Sequence, residues 1–257
     1  MDALVADLPS IDLATLEEAA ALLERVDRKY VVPLAVAARL VADLTLAGED
    51  WRVLEIDGRR CFGYTSVYFD DGELSTYRAH LQRRRRRYKV RVRRYTDSDL
   101  CMLEVKRKGR RGRTEKVRRL HPFTPQEGLG PDGWEFVASA LDGYVPPPCP
   151  DLAPVLLTSN RRVTLVSVSG GARVTLDTDV TCGWGEEQIT LRADHVLVES
   201  KTGHGTSTVD RLLRSYGHRP VRLSKFCVGV ASMATGVPSN PWRRTMRQFF
   251  AVPAPQE

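Results

Sequence analysis

The residues with the most chemistry to offer are cations placed at every second position. In YKVRVRRY (residues 88–95), Lys89, Arg91 and Arg93 alternate with Val90 and Val92. Alternate side chains of an extended strand share a face, so these cations line one side and the valines the other. The pattern recurs. LEVKRK sets Glu104, Lys106 and Lys108 on one face, and EKVRRL sets Lys116 and Arg118. RVDRKYV sets Arg25, Asp27 and Lys29, and VLVESKT sets Glu199 and Lys201. RVTLDTDV sets Arg173, Thr175, Asp177 and Asp179. One such strand is an antiparallel strand with a wet face. Many of them with long ionic side chains predict an enclosure that is mainly cationic, costly unless an anion fills it. Phosphate chains match, because they carry about one charge per phosphate and offer oxygens that Arg grips bidentately. The few carboxylates would suit a hard divalent cation such as Mn²⁺ or Mg²⁺.

The charge is regional. The 257-residue chain has a net charge of +7, yet residues 83–119 alone carry 18 basic and 4 acidic residues, a net +14, and the rest is −7. A local excess of this size implies a polyanionic partner. Other chemistries lack their signatures. GRRGRTEK has the glycines and lysine of a phosphate-binding loop in the wrong order. His80, His121, His195, His204 and His218 are scattered, with no HxH, HExxH or Ser-His-Asp pattern, and the five cysteines form no CxxC pair. Nucleic acid is disfavoured, since the basic segment has Tyr88 and Tyr95 but few other aromatics for stacking, and it contains Glu104. No apolar run is long enough to span a bilayer, and the acidic N-terminus is unlike a secretion signal, so a cytoplasmic location is expected.

The elements that must position these residues follow from pattern. SIDLATLEEAAALLERV reads as a helix with a capping box from Thr15 to Glu18. DRKYVV is extended, and PLAVAARLVADL opens a second helix. TSVYFD is rich in β-formers, and residues 74–86 have helical character. Strands are expected at 88–96, 101–108 and 113–120, separated by turn sequences, then at 155–168, 172–180, 187–192 and 195–202. A helix is expected at 131–143, another in STVDRLLRSYG, and a last one near SKFCVGVASMA. The run Arg83–Arg87 is expected to leave a solvated basic patch near the mouth of the enclosure. The tail NPWRRTMRQFFAVPAPQE is expected to pack on the domain. The fold class is α+β: a closed antiparallel eight-stranded β-barrel with flanking helices. The expected organisation is an N-terminal helix at 1–23, the barrel domain at 24–236 and a tail at 237–257.

In order and spacing, DRKYVV, TSVYFDD, KVRVRRY, LEVKRK, EKVRR, NRRV, VTLDTDV, VLVESK and LSKF resemble the VTC domain, the polyphosphate polymerase domain of the vacuolar transporter chaperone family. That domain belongs to the triphosphate tunnel metalloenzyme superfamily. The resemblance implies catalytic phosphate contacts at Lys29, Arg91, Arg93, Lys106, Lys116, Arg162, Lys201 and Lys225. It implies substrate-binding roles for Ser224, Lys89 and Arg118, and metal ligation by Glu199 with Asp27 and Glu104. Three positions depart from the pattern. Arg25 and Asp27 stand where the superfamily has two glutamates, which disfavours a two-metal hydrolytic form. Asn160 stands where the family has an aromatic. The implied activity is metal-dependent transfer of the γ-phosphate of a nucleoside triphosphate, ATP foremost, to a growing polyphosphate chain. Pyrophosphate or polyphosphate serves as partner substrate, and a separate membrane protein as a further partner. The alternatives are a triphosphate or polyphosphate hydrolase of the same fold, and a non-catalytic binder of polyphosphate or nucleic acid.

Overall fold

The alternating stretches form strands, and their pairing puts the alternation into register. The computed structural model describes residues 1–19, 26–109, 114–123, 126–185, 187–203, 205–234 and 236–251. Arg25, His204, most of the GRRGR turn and the end of the tail lie outside the described residues. Twelve strands form one sheet, and the helices α1 (Leu13–Ala19), α2 (Leu34–Leu46), α3 (Ser75–Leu81), α4 (Gly130–Leu141), α5 (Thr208–Ser215), α6 (Lys225–Met233) and α7 (Asn240–Phe249) pack around it.

The strands are β1 (Ser10–Ile11), β2 (Val26–Pro33), β3 (Trp51–Leu54), β4 (Cys61–Asp70), β5 (Tyr88–Tyr95), β6 (Cys101–Lys108), β7 (Thr114–Leu120), β8 (Ala153–Ser167), β9 (Ala172–Trp184), β10 (Glu187–Leu191), β11 (His195–Thr202) and β12 (Phe250–Ala251). A continuous antiparallel path runs β2-β11-β9-β8-β4-β5-β6-β7. Two side branches leave it: β10 and β12 from β9, and β3 with the parallel β1 from β8.

The apolar face of this path is covered by helices. α2 buries Ala37, Leu40, Val41 and Leu44, a spacing that puts one stripe toward the sheet. With α5 it covers Tyr30, Val32, Val163, Leu165, Val174, Leu176, Val196 and Val198. α5 begins with a reciprocal cap between Ser207 and Asp210. α4 presents Val137 and Leu141 to Val67, Phe69, Val90, Val92, Leu103 and Val105. A fully buried Leu such as Leu103 or Leu165 contributes about 1.5–3 kcal/mol through its burial.

The opposite face is polar and yet buried: Arg91, Glu104, Asp177 and Lys201 are all nearly inaccessible. Among the described residues only the start of α6, described below, is seen to lie on it, and the curl of the sheet buries these groups. At one end the polar rows give way to Val31, Tyr68, Leu156 and Leu197, which pack beneath Phe226 and Val230 of α6.

Several expectations are corrected. The sheet is not a closed eight-stranded barrel: β2 and β7 end the path and do not pair, so a seam stays open there. Across it, Arg118 of β7 reaches Glu17 of α1 at 3.4 Å. The first helix is capped one turn earlier than Thr15. Asp12 accepts from the Thr15 amide at 2.9 Å and its hydroxyl at 2.7 Å, which holds the Asp12 carboxyl below its usual range. The helix expected over 74–86 stops at Leu81, because the arginine run after it forms turns and bends, so its side chains do not alternate. Asp179 leaves the polar row. The chain slips register opposite Asn160, Asp179 takes a left-handed φ of 50°, and its side chain is exposed. The strand at Trp51–Leu54 and helix α7 were not foreseen. The tail does pack, with Trp242, Phe249 and Phe250 buried and β12 paired to β10. Among the described residues no helix is long and apolar enough to cross a membrane.

Candidate functional site

Cross-strand register assembles the site. Lys29 of β2 lies opposite Glu199 of β11, which lies opposite Thr175 of β9, which lies opposite Thr164 of β8. One step along, Asp177 faces Arg162, and Tyr64 of β4 faces Asn160. Ser66 and Tyr68 face Arg93 and Arg91 of β5. Arg91 faces Glu104 of β6, Lys89 faces Lys106, and these face Arg118 and Lys116 of β7. Strand parity thus carries the polar row from β2 to β7, so residues from far-apart sequence stretches share one surface.

Three carboxylates organise the cations. Glu199 accepts from Lys29 Nζ at 3.0 Å and faces Lys201 Nζ at 3.3 Å, both through Oε1. Its Oε2 has no hydrogen-bond partner among the described residues. Asp177 takes Arg162 bidentately, Nε at 2.5 Å and Nη2 at 2.7 Å, and Lys225 Nζ at 2.8 Å. Glu104 takes the Arg91 guanidinium at 2.5 and 2.6 Å and Lys116 at 3.4 Å. The α6 N-terminus leans onto the same face. Ser224 caps the helix by accepting from the Cys227 amide and also receives Lys89 Nζ at 2.9 Å, and Lys225 Nζ donates to Asn160 Oδ1 at 2.5 Å.

The remaining cations outnumber their partners. Arg93 donates to Ser66 Oγ at 3.1 Å and lies over the Tyr64 ring at 5.2 Å. The Lys106 ammonium makes no hydrogen bond or ion pair among the described residues. The electrostatics follow. Burial and the neighbouring Arg91 hold the Lys106 ammonium well below its ordinary pKa, with only partial relief from Glu104. Burial also lowers Lys116 and Lys225, and it pushes Lys201 down to about 8, with Glu199 opposing and Arg162 and Arg173 assisting. Lys29 behaves oppositely. Burial pulls it down, but the shorter hydrogen bond and the charge of Glu199 prevail and raise it. Burial would raise Glu199, Asp177 and Glu104, yet the adjacent cations outweigh it and keep all three ionised. A polyanion would relieve the mutual repulsion among the cations.

The structure brings together Lys29, Lys89, Arg91, Arg93, Lys106, Lys116, Arg162, Lys201, Ser224 and Lys225 on this face, with Glu199 and Glu104. Arg118 lies on the same row at the open seam and is exposed. Arg94 points away, paired with Asp99 at 2.6 Å. Glu199, Asp27 and Glu104 do not form one ligand cluster. Among the described residues no three His, Cys, Asp or Glu side chains converge as a metal cage. Glu104 is instead saturated by Arg91 and Lys116. The donor set still fits a hard cation at one place, where Glu199 keeps Oε2 without a hydrogen bond; phosphate oxygens would complete its coordination.

Sequence reasoning passed over Asp177 as a site residue and missed Tyr64 and Tyr68. Tyr64 lies 5.2 Å from the guanidinium carbons of both Arg93 and Arg162. The Tyr68 hydroxyl receives Arg91 Nη1 at 3.2 Å. Burial would raise the Tyr68 phenol, but Arg91, Arg93 and Lys89 reverse this and lower it. The signal available was period two: Tyr64, Ser66 and Tyr68 alternate in GYTSVYFD just as the cations do.

An open-seamed antiparallel sheet with a buried, cation-lined face defines the class of protein. The VTC domain family matches residues 24–124 and 149–234, well over half of the chain, and the chain belongs to that family. No curated relative matches it. Among solved structures, a candidate adenylate cyclase from Bacillus halodurans is 16% identical, with a TM-score of 0.48 over 78% of this chain and 94% of its own. A candidate adenylyl cyclase from Hippeastrum with a dominant triphosphatase activity is 16% identical, with a TM-score of 0.47 over 82% of this chain and 98% of its own. An RNA triphosphatase from S. pombe is 10% identical, with a TM-score of 0.27 over 75% of this chain and 68% of its own. All three similarities are distant.

Proposed function

We propose that this protein is a metal-dependent polyphosphate polymerase that takes the γ-phosphate of a nucleoside triphosphate, ATP foremost. The observation that carries the reading is the excess of cations over carboxylates on one buried face, with Glu199 keeping, among the described residues, an oxygen without a hydrogen bond. Lys29, Arg162 and Lys201 surround Glu199 and would hold phosphate oxygens there. Arg91, Arg93, Lys106, Lys116 and Lys225 would hold the remainder of the triphosphate and chain, with Lys89, Arg118 and Ser224 at the margins. Glu199 would hold Mn²⁺ or Mg²⁺ together with phosphate oxygens, and the ion would supply further neutralisation of phosphate charge.

The chemistry needs no side-chain nucleophile. A terminal phosphate oxygen of the chain is ionised at neutral pH and forms the new bond to the γ-phosphorus. The bond to the bridging β–γ oxygen breaks, and the nucleoside diphosphate leaves with that electron pair. The residues then act by positioning and by neutralising charge, as phosphoryl transfer requires. Arg25 standing at the sequence position of a superfamily glutamate favours this over two-metal hydrolysis, as does a site in which, among the described residues, Glu199 alone of the three organising carboxylates keeps an oxygen without a hydrogen bond. The test is to incubate the protein with ATP and Mn²⁺ and resolve the phosphate products by size. A ladder of chains is expected. Orthophosphate alone would replace the reading by hydrolysis, and no turnover would replace it by binding.

A further inference from the structure

The arginine run left over from the site builds a second feature. Arg83, Arg85, Arg86, Arg87, Arg107 and Lys108, outnumbering Glu115 and Asp142, line an open cavity of about 970 Å³ at the rim of the sheet. Tyr144, just past α4, fastens it. Its hydroxyl accepts from the Arg87 amide at 2.9 Å and donates to the Lys108 carbonyl at 2.8 Å, which ties the start of β5 to the end of β6. Arg86 and Arg107 lie over the Tyr144 ring at 6.0 and 5.9 Å. Arg107 is paired with Glu115 at 2.7 Å, but Arg83 and Arg85 are exposed and have no acidic partner among the described residues.

The cavity wraps the edge of the sheet: Arg87 and Lys108 continue the polar row, whereas Arg107, Glu115 and Tyr144 lie on the side covered by α4. Arg87 has the parity of Lys89, Arg91 and Arg93 on β5, and Lys108 that of Lys106 and Glu104 on β6. The backbone bond from the Lys108 amide to the Arg87 carbonyl, 3.0 Å, keeps the two rows in register to the rim. Arg87 and Lys108 therefore connect the buried face to the exposed arginines at its edge. The ligand chemistry follows from what the pocket offers. Guanidinium forks suit phosphate oxygens. The one aromatic ring is already flanked by arginines, which leaves no platform for a stacked base.

We propose that this rim pocket is a second phosphate-chain site, which holds the part of a long polyphosphate that extends beyond the buried face. The inference rests on the phosphate-binding reading of that face. A short chain fills the face alone and a long chain reaches both, so the two sites separate by chain length.

The experiment measures binding of tripolyphosphate, of a polyphosphate of several tens of residues, and of duplex DNA to the wild-type protein and to an Arg83→Gln/Arg85→Gln variant. Neither side chain holds a partner whose loss would unfold the chain, and a melting curve checks this. At low salt the variant is expected to bind the long chain roughly 5- to 10-fold more weakly, as two exposed ion pairs allow, with tripolyphosphate affinity unchanged. The salt dependence of long-chain binding should also become shallower. Equal long-chain affinity in both proteins overturns the rim site while leaving the buried face intact. Loss of tripolyphosphate binding in the variant overturns the separation of the two sites. Duplex DNA binding that exceeds long-chain binding and falls in the variant would make the pocket a nucleic-acid surface. If tripolyphosphate fails to bind even the wild type, the reading of the buried face fails first, and the rim site with it.

Discussion

Replacing Asp177 by Asn removes one charge at the middle of the buried face and keeps its shape. The Asp177 side chain is 2% exposed and bridges Arg162 and Lys225, themselves 15% and 12% exposed. The substitution leaves two buried cations without their shared counter-ion. Breaking a buried pair in this way costs roughly 3–5 kcal/mol. A domain of this size loses about 2–4 °C of melting temperature per kcal/mol, so a fall of roughly 6–20 °C is expected. The pH dependence has a definite sign. Asp177 is held below its unfolded value, so its contribution is present above about pH 4 and is lost as acidification protonates it. The variant should therefore lose less stability than wild type on acidification. Saturating tripolyphosphate should also recover more degrees in the variant than in wild type, since the anion replaces the missing charge. The assay is thermal unfolding followed by circular dichroism, with and without the anion. A drop of only a degree or two, or equal recovery in both proteins, would refute the electrostatic account of this face.

Glu199→Gln should abolish metal-dependent turnover while the far-ultraviolet spectrum stays native; unchanged rate and Mn²⁺ dependence would remove Glu199 from metal binding. Arg91→Ala and Arg93→Ala should each weaken tripolyphosphate binding roughly tenfold or more, as lost charged hydrogen bonds do, and Arg94→Ala should change it less than twofold. Comparable losses at all three would mean an open basic surface. Lys201 has a folded pKa of about 8, below its unfolded value, so in the free protein its charge opposes folding below pH 8 and stability rises from there to about pH 10.5. Bound polyanion favours the charged form, so the stabilisation it confers should shrink as pH rises through 8. In Lys201→Met that decline should flatten, and an equally steep decline would exclude Lys201.

The cationic strands were legible because period two is strict in β5, β6 and β11, where Lys89, Arg91, Arg93, Glu104, Lys106, Glu199 and Lys201 keep their rows through the register. The break at Asp179 was not, since nothing in RVTLDTDV marks a bulge; it arises from the slip against Asn160 on another strand. Tyr68 was read only as a β-former within TSVYFD and Tyr64 lay just outside that stretch, because an aromatic suits core and site equally. Parity alone could not tell which face β4 turns inward. The ion pairs that saturate Glu104 belong to pairing across β5, β6 and β7, which no single stretch reveals. Barrel closure failed as an inference for a related reason. Strand number and alternation are local, but closure depends on whether the terminal strands β2 and β7 meet.

The central claim is that the buried cationic face takes a phosphate chain. The direct measurement is a thermal-shift series with tripolyphosphate, orthophosphate and duplex DNA at matched charge. An anion at a hundred times its dissociation constant stabilises by about 2.7 kcal/mol, a rise of roughly 5–10 °C for this chain length. Tripolyphosphate should produce that rise where orthophosphate and DNA produce little, because Arg91, Glu104, Asp177 and Lys201 are too deeply buried for a duplex to reach. The rise should also persist in added salt, since enclosed charges are screened less than exposed ones. Stabilisation by duplex DNA equal to that by tripolyphosphate would place the binding cations on an open surface and contradict the account.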